Sequence, residues 1–149
     1  MDMAERMIKV LCPTDGSRAS EKSIEWAINL AKNFSNMELI FLLVAGRDVD
    51  VGDAMRRGTQ VIKAAEMQQY MELGAAHDMA KKAGFDRIDC VMEHQSGNIA
   101  ASIIAYAEQE KVDHIVVGST GKTGVERLLL GSVASEVVAK AHCPVTVVR

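Results

Sequence analysis

Short apolar runs alternate with amphipathic stretches along the whole chain. "MIKVLCP" (7–13) is a β-rich run closed by Pro13. "ELIFLLVA" (38–45) is almost wholly apolar, the pattern of a strand covered on both faces. Between them, "ASEKSIEWAINLAKNF" (19–34) sets Ile24, Ala27, Ile28, Ala31 and Phe34 on one helical stripe, with Ser20 as the expected N-cap. Residues 46–58, polar and punctuated by glycine, read as a loop. A long helix follows from about Thr59 to Ala83, stopped by Gly84, with Ile62, Ala65, Leu73, Ala76, Ala80 and Ala83 on its buried face. "RIDCVME" (87–93) is a third strand and "HIVVG" (114–118) a fourth. The helix between them, 97–111, carries Ile99, Ile103 and Ala107 at i, i+4 spacing. A fourth helix, "SVASEVVAKA" (132–141), and a fifth strand, "VTVV" (145–148), complete the pattern.

Strands that alternate with helices in this way pair in parallel through crossovers, with helices on both faces of the sheet. The expected fold is therefore α/β: one doubly wound domain over 1–149, a five-stranded parallel sheet flanked by four helices. In such sheets ligands bind beyond the carboxyl ends of the strands, where the strand order reverses. Residues just after strands are then the informative ones.

Composition narrows the classes. With 149 residues, 48% hydrophobic and 25% charged, the chain is an ordinary globular domain. A net charge of −3 argues against a nucleic-acid partner, which calls for a basic surplus. No apolar run reaches the length of a membrane span, and the opening "MDMAERMIKV" lacks a signal-peptide core, so no membrane partner is expected. Cys12, Cys90 and Cys143 are odd in number and scattered. That is the usage of reduced thiols in a cytoplasmic protein, with Cys12 and Cys90 expected to pack as small buried hydrophobes in strands.

Two stretches follow strands and carry candidate chemistry. "GSTGKTGVERLLLGS" (118–132) contains Gly-Lys-Thr, yet Val116 stands where a Walker A loop needs its first glycine. The dinucleotide fingerprint fails as well, because Thr120 stands where its second glycine belongs. The spacing present is Gly118, two residues, Gly121, nine residues, Gly131 and then Ser132, and it falls between a strand and a helix. Glycine lets a ligand approach main-chain amides, and a helix start offers unsatisfied N–H groups and a positive dipole end to phosphate. Ser132 adds a hydroxyl for the cap or for a phosphate oxygen. The alternative is a glycine-rich turn required only by chain geometry. Lys122 and Arg127 in the same loop are either phosphate partners or ordinary exposed cations.

The second stretch is "PTDGS" (13–17). If the sheet order reverses between strands one and four, Asp15 faces the glycine loop, where a carboxylate bonds a ribose hydroxyl or helps to hold a metal on phosphates. Its alternative role is to end the strand and start the helix. The four histidines show no metal-binding spacing, and only His94, after the third strand, stands at the ligand-facing edge. Met67, Met71 and Met79 read as packing residues. There is no nucleophile elbow.

The "PTDGS" turn together with the stretch from Gly97 to Val148 resembles the universal stress protein family, in its ATP-binding branch, which carries G-x2-G-x9-G-[ST]. The resemblance implies an adenine-nucleotide-hydrolase-like, Rossmann-like fold, a homodimer through the last strand (Val145–Val148), and ATP or another adenine nucleotide as ligand. It implies that Pro13, Thr14 and Asp15 line the adenosine site, with Asp15 toward the ribose. Val44 would present backbone groups to the adenine edge, and Val117 would pack near the ribose or base. Gly118 opens the motif; the amides of Gly121, Gly131, Ser132 and Val133 and the Ser132 hydroxyl would hold the phosphates, with Mg or Mn riding on them. Strand two departs from the pattern: Ala45 and Gly46 follow Val44 where many relatives carry a polar or acidic residue. Three functions are in competition. One is a dimeric nucleotide-dependent switch acting on an unknown protein partner in a stress response. Another is a slow ATPase or nucleotidyl-transfer enzyme, and the third is a chaperone-like protein with a vestigial site. Hydrolysis needs a positioned base, and Asp15 is the only acidic candidate. That favours the binding module.

Overall fold

The computed structural model of the chain describes residues 6–45, 59–120 and 130–149, and of 59–70 the backbone only. In chain order the elements are β1 (Ile8–Pro13), α1 (Arg18–Ala31), β2 (Met37–Ala45), α2 (Thr59–Lys82), β3 (Ile88–His94), α3 (Ile99–Gln109), β4 (His114–Gly118), α4 (Ser132–Lys140) and β5 (Val145–Val148). The strands form one sheet in the order β3-β2-β1-β4-β5, every neighbouring pair parallel. The order reverses between β1 and β4, the point at which sheets of this kind leave a crevice at the carboxyl ends of their strands.

The period-2 alternation of the strands sorts the core into two layers. Val10 and Cys12 of β1, Leu39, Phe41 and Leu43 of β2 and Val116 of β4 pack under α1 and α2, against Ile24, Ala27, Ile28, Leu73, Ala76 and Ala80. Leu11, Ile40, Leu42, Ile115 and Val117 point the other way, under α3 and α4, against Ile103, Ala107, Ala134 and Val137. Both faces of β2 are covered, which is why its sequence is almost continuously apolar.

Several expectations are corrected. The N-cap of α1 is Ser17, whose hydroxyl oxygen accepts from the Ser20 amide at 3.2 Å. Ser20 lies inside the helix, because Gly16 at φ +77° turns the chain early enough for the helix to begin at Arg18. The helix ends at Ala31, so Phe34 leaves the buried stripe and is exposed. Ile99 stands at the first position of α3 and is exposed, whereas Ile103 and Ala107 are buried as expected. Cys12 is buried in the core, and burial pushes its thiol far above the ordinary range, but Cys90 is exposed. The difference arises because β3 is an edge strand and β1 is central. On α2, Leu73, Ala76 and Ala80 are buried, Met79 is partly buried and Met71 is exposed. The side chains of Ile62, Ala65 and Met67, and the whole of loop 46–58, lie outside the described residues.

Candidate functional site

All five strands run the same way, so Pro13, Val44, His94, Gly118 and Val148 stand along one edge of the sheet. The β1 end is tightly folded. The Thr14 amide donates to the Leu42 carbonyl at 2.8 Å. Its side chain is buried, turned toward Ser20 Oγ at 3.3 Å, and accepts from the Gly16 amide at 3.4 Å. Thr14 therefore anchors the first turn of α1 and offers the crevice its main chain alone. Asp15 Oδ1 accepts from the Ser17 amide at 2.9 Å, the turn-forming role of an aspartate. Asp15 is half-buried, and its second oxygen has no protein partner among the described residues. Gly16 lies under α2: a β-carbon there would stand 2.9 Å from Cγ and Cδ of Glu72. The side chain of Glu72 thus overhangs the turn that carries Asp15.

The β4 end meets α1 and α4. Ser119 donates its amide to the Val148 carbonyl at 2.9 Å and accepts from the Gly131 amide at 2.7 Å. This corrects one expectation, since the Gly131 amide is engaged within the protein and does not point at a ligand. What Gly131 supplies is the N-cap, with φ −61° and ψ 162° and no side-chain cap bond. The first intrahelical bond runs from the Ser135 amide to the Gly131 carbonyl. The amides of Ser132, Val133 and Ala134 precede it and have no acceptor in the helix. The glycine cap has no side chain to take those donors, and among the described residues no bond to them is seen, so they and the positive end of the dipole suit an anion.

The structure thus brings Pro13, Thr14, Asp15, Gly118, Gly131, Ser132 and Val133 to the β1/β4 switch point. Val44 lies one strand further out, half-buried, and the neighbouring Ala45 carbonyl is held by the Gln95 amide at 2.8 Å. Val117 is 3% exposed and packed with Ala134 and Val137, so it forms the floor beneath the start of α4 and not a ligand-facing wall. His94 is exposed at the end of β3. Gly121, Lys122 and Arg127 lie outside the described residues. Among the described residues no group of three or more His, Cys, Asp or Glu side chains is arranged to hold a metal. Sequence reasoning missed Ser119 and Glu72. Ser119 acts through its main chain, which leaves no trace in residue type, and Glu72 is one polar residue among many on a long helix.

Fold and site together define a doubly wound α/β domain with an anion-suited helix start at the switch point. The universal stress protein family profile matches residues 7–149, and the chain belongs to that family. It is 39% identical over 142 residues to the universal stress protein MJ0531 of Methanocaldococcus jannaschii, covering 95% of this chain and 81% of that one. Among solved structures it is similar to hypothetical protein MJ0577 of the same organism, whose biochemical function was assigned from its structure. The TM-score is 0.77 at 27% identity, covering 95% and 94% of the two chains. It is also similar to a universal stress protein solved in complex with cAMP, with TM-score 0.71 at 26% identity, covering 97% and 98%.

Proposed function

We propose that this chain is a cytoplasmic adenine-nucleotide-binding protein, with ATP as its principal ligand, that works as a nucleotide-dependent module in a stress response. The observation that carries the reading is the open helix start: Ser132 and Val133 present first-turn amides beneath a glycine cap, beside Asp15 across the β1/β4 crevice. The cAMP complex of a universal stress protein with the same fold supports an adenine nucleotide as the occupant. The phosphates would take the α4 amides and the Ser132 hydroxyl, and the free oxygen of Asp15 would take the ribose. Mg or Mn would ride on the phosphates with water as its remaining ligands, in keeping with the lack of any metal-holding group of side chains among the described residues. Gly121 and Lys122 complete the proposed cradle. A homodimer through β5 belongs to the same reading, because Val145–Val148 is a hydrophobic outer strand.

Binding is favoured over turnover. The carboxylate nearest the crevice already holds the Ser17 amide, and Glu72, the other acid near that turn, comes from α2 over Gly16 and not from the α4 side where the phosphates would lie. Calorimetry with ATP, ADP, AMP and cAMP in the presence of Mg tests the reading, with mass spectrometry of the bound nucleotide over time. Binding of intact ATP supports it. Absence of heat for all four at millimolar concentration ends it, and steady accumulation of ADP replaces the switch by an enzyme.

A further inference from the structure

Ser119 is held twice by its own main chain. Its N–H reaches the carbonyl of Val148, the last residue of β5, and its C=O receives the N–H of Gly131, the N-cap of α4. The helix start and the end of the outer strand are therefore joined through one residue by two consecutive backbone bonds. β5 pairs only with β4 among the described residues, and all four of its side chains are half-buried. It is the outer strand of the sheet on that side. Gly118, immediately before Ser119, is wedged against the first turn of α1, so the relay is fixed at its root.

We propose that Ser119 is a positioning residue that couples nucleotide occupancy of the α4 start to the order of the β5 edge. The proposal rests on the adenine-nucleotide reading above. An anion on the α4 amides fixes the N-cap; the N-cap holds the Ser119 carbonyl, and the Ser119 amide holds the Val148 carbonyl. Coupling between sites is reciprocal, so whatever pairs with the open side of β5 tightens the nucleotide site by the same factor. Both bonds are main-chain bonds. Truncating the side chain therefore leaves the relay intact, and an imino acid at 119 removes its outer bond.

Hydrogen exchange on the full chain, with and without saturating Mg-ATP and with binding measured separately by calorimetry, decides the matter. The expected result is that ATP slows the amides of 145–148 by about fivefold or more relative to those of the opposite edge strand β3. Ser119→Ala keeps that response, and Ser119→Pro loses it while still binding ATP. Binding with equal slowing at both edges, or with none at β5, overturns the coupling and spares the nucleotide reading. No binding at all overturns both. If Ser119→Pro does not fold, the two edges of the wild-type chain decide between these outcomes.

Discussion

Gly118 sits so close to Ala19 that a β-carbon on it would stand 2.7 Å from the Ala19 carbonyl oxygen and 2.8 Å from its carbonyl carbon. The first glycine of the phosphate-loop spacing is thus required by the packing of β4 against α1, whatever else it does. Gly118→Ala forces strand and helix apart at the root of the site. The expected cost is about 1–3 kcal/mol, as for other overpacked positions. Urea denaturation that gives an unchanged midpoint would show that the contact relaxes freely.

Gly131→Val tests the other end of the spacing. The N-cap conformation, φ −61°, is open to any residue, so the fold survives. The loss is about 1 kcal/mol, from a poor capping residue. A branched side chain beside the first-turn amides blocks an approaching phosphate, and ATP binding by calorimetry is expected to fall below detection. Binding of wild-type strength would remove α4 from the cradle.

Arg87 closes the opposite end of the molecule. Its guanidinium donates to the Met37 carbonyl at 2.9 Å and to the Phe34 carbonyl at 2.7 Å, and it lies 4.7 Å from the centre of the Phe85 ring. It gathers carbonyls from the segment that leaves α1, where a cation complements the helix dipole. Arg87→Ala is expected to lower stability by about 1–3 kcal/mol, with ATP affinity unaltered. Arg87→Lys recovers only part of it, because an ammonium cannot reproduce the planar fork. Full recovery by lysine in a thermal melt would reduce the role of Arg87 to charge alone.

His114 carries a pH dependence. Its Nε2 is 2.7 Å from Thr146 Oγ1, tying β4 to β5, and burial lowers its pKa. A lowered folded pKa means that the unfolded chain takes up the proton first as pH falls. Stability from this group is therefore complete above the ordinary histidine value of about 6.5 and is lost as pH falls through the folded value. Wild-type stability should decline between pH 7.5 and 5.5 more steeply than that of His114→Gln, whose amide keeps a partner for Thr146. Identical slopes in urea titrations at the two pH values would contradict this.

A homodimer through β5 predicts twice the chain mass by light scattering at micromolar concentration. Thr146→Lys, which adds a charge to the outer strand, is expected to shift that equilibrium toward monomer. A monomer mass for the unaltered chain at that concentration removes the dimer from the proposed function.

The alternation of periods 2 and 3.6 was enough to place every strand to within one residue at each end, and β4 and β5 without error. Strand boundaries are readable because a strand covered by helices is apolar along its length, and the polar residues that end it differ sharply. Helix ends were less legible. Ser17 and Ser20 are chemically equivalent capping candidates, and only the positive φ of Gly16 selects the first. Phe34 and Ile99 fit the apolar stripes in sequence and are exposed because the helices end or begin beside them. Cys12 and Cys90 read alike in their strands, and only the strand order, which places β1 at the centre and β3 at the edge, makes one buried and the other exposed.

The site divides along the same line. Residue type and spacing determined that a glycine-punctuated strand–helix junction and a strand-ending aspartate exist, because both are local and depend on side-chain chemistry. That they stand together follows from the reversal between β1 and β4, a relation among residues about a hundred positions apart. Which groups are open to a ligand was decided by the hydrogen bonds of the folded chain, some within a turn and one across the loop between β4 and α4. Ser119 takes the Gly131 amide, Ser20 takes the Thr14 hydroxyl, and Ser17 takes one oxygen of Asp15. Main-chain donors look the same at every residue, so only the folded backbone could show which of them remain for an anion.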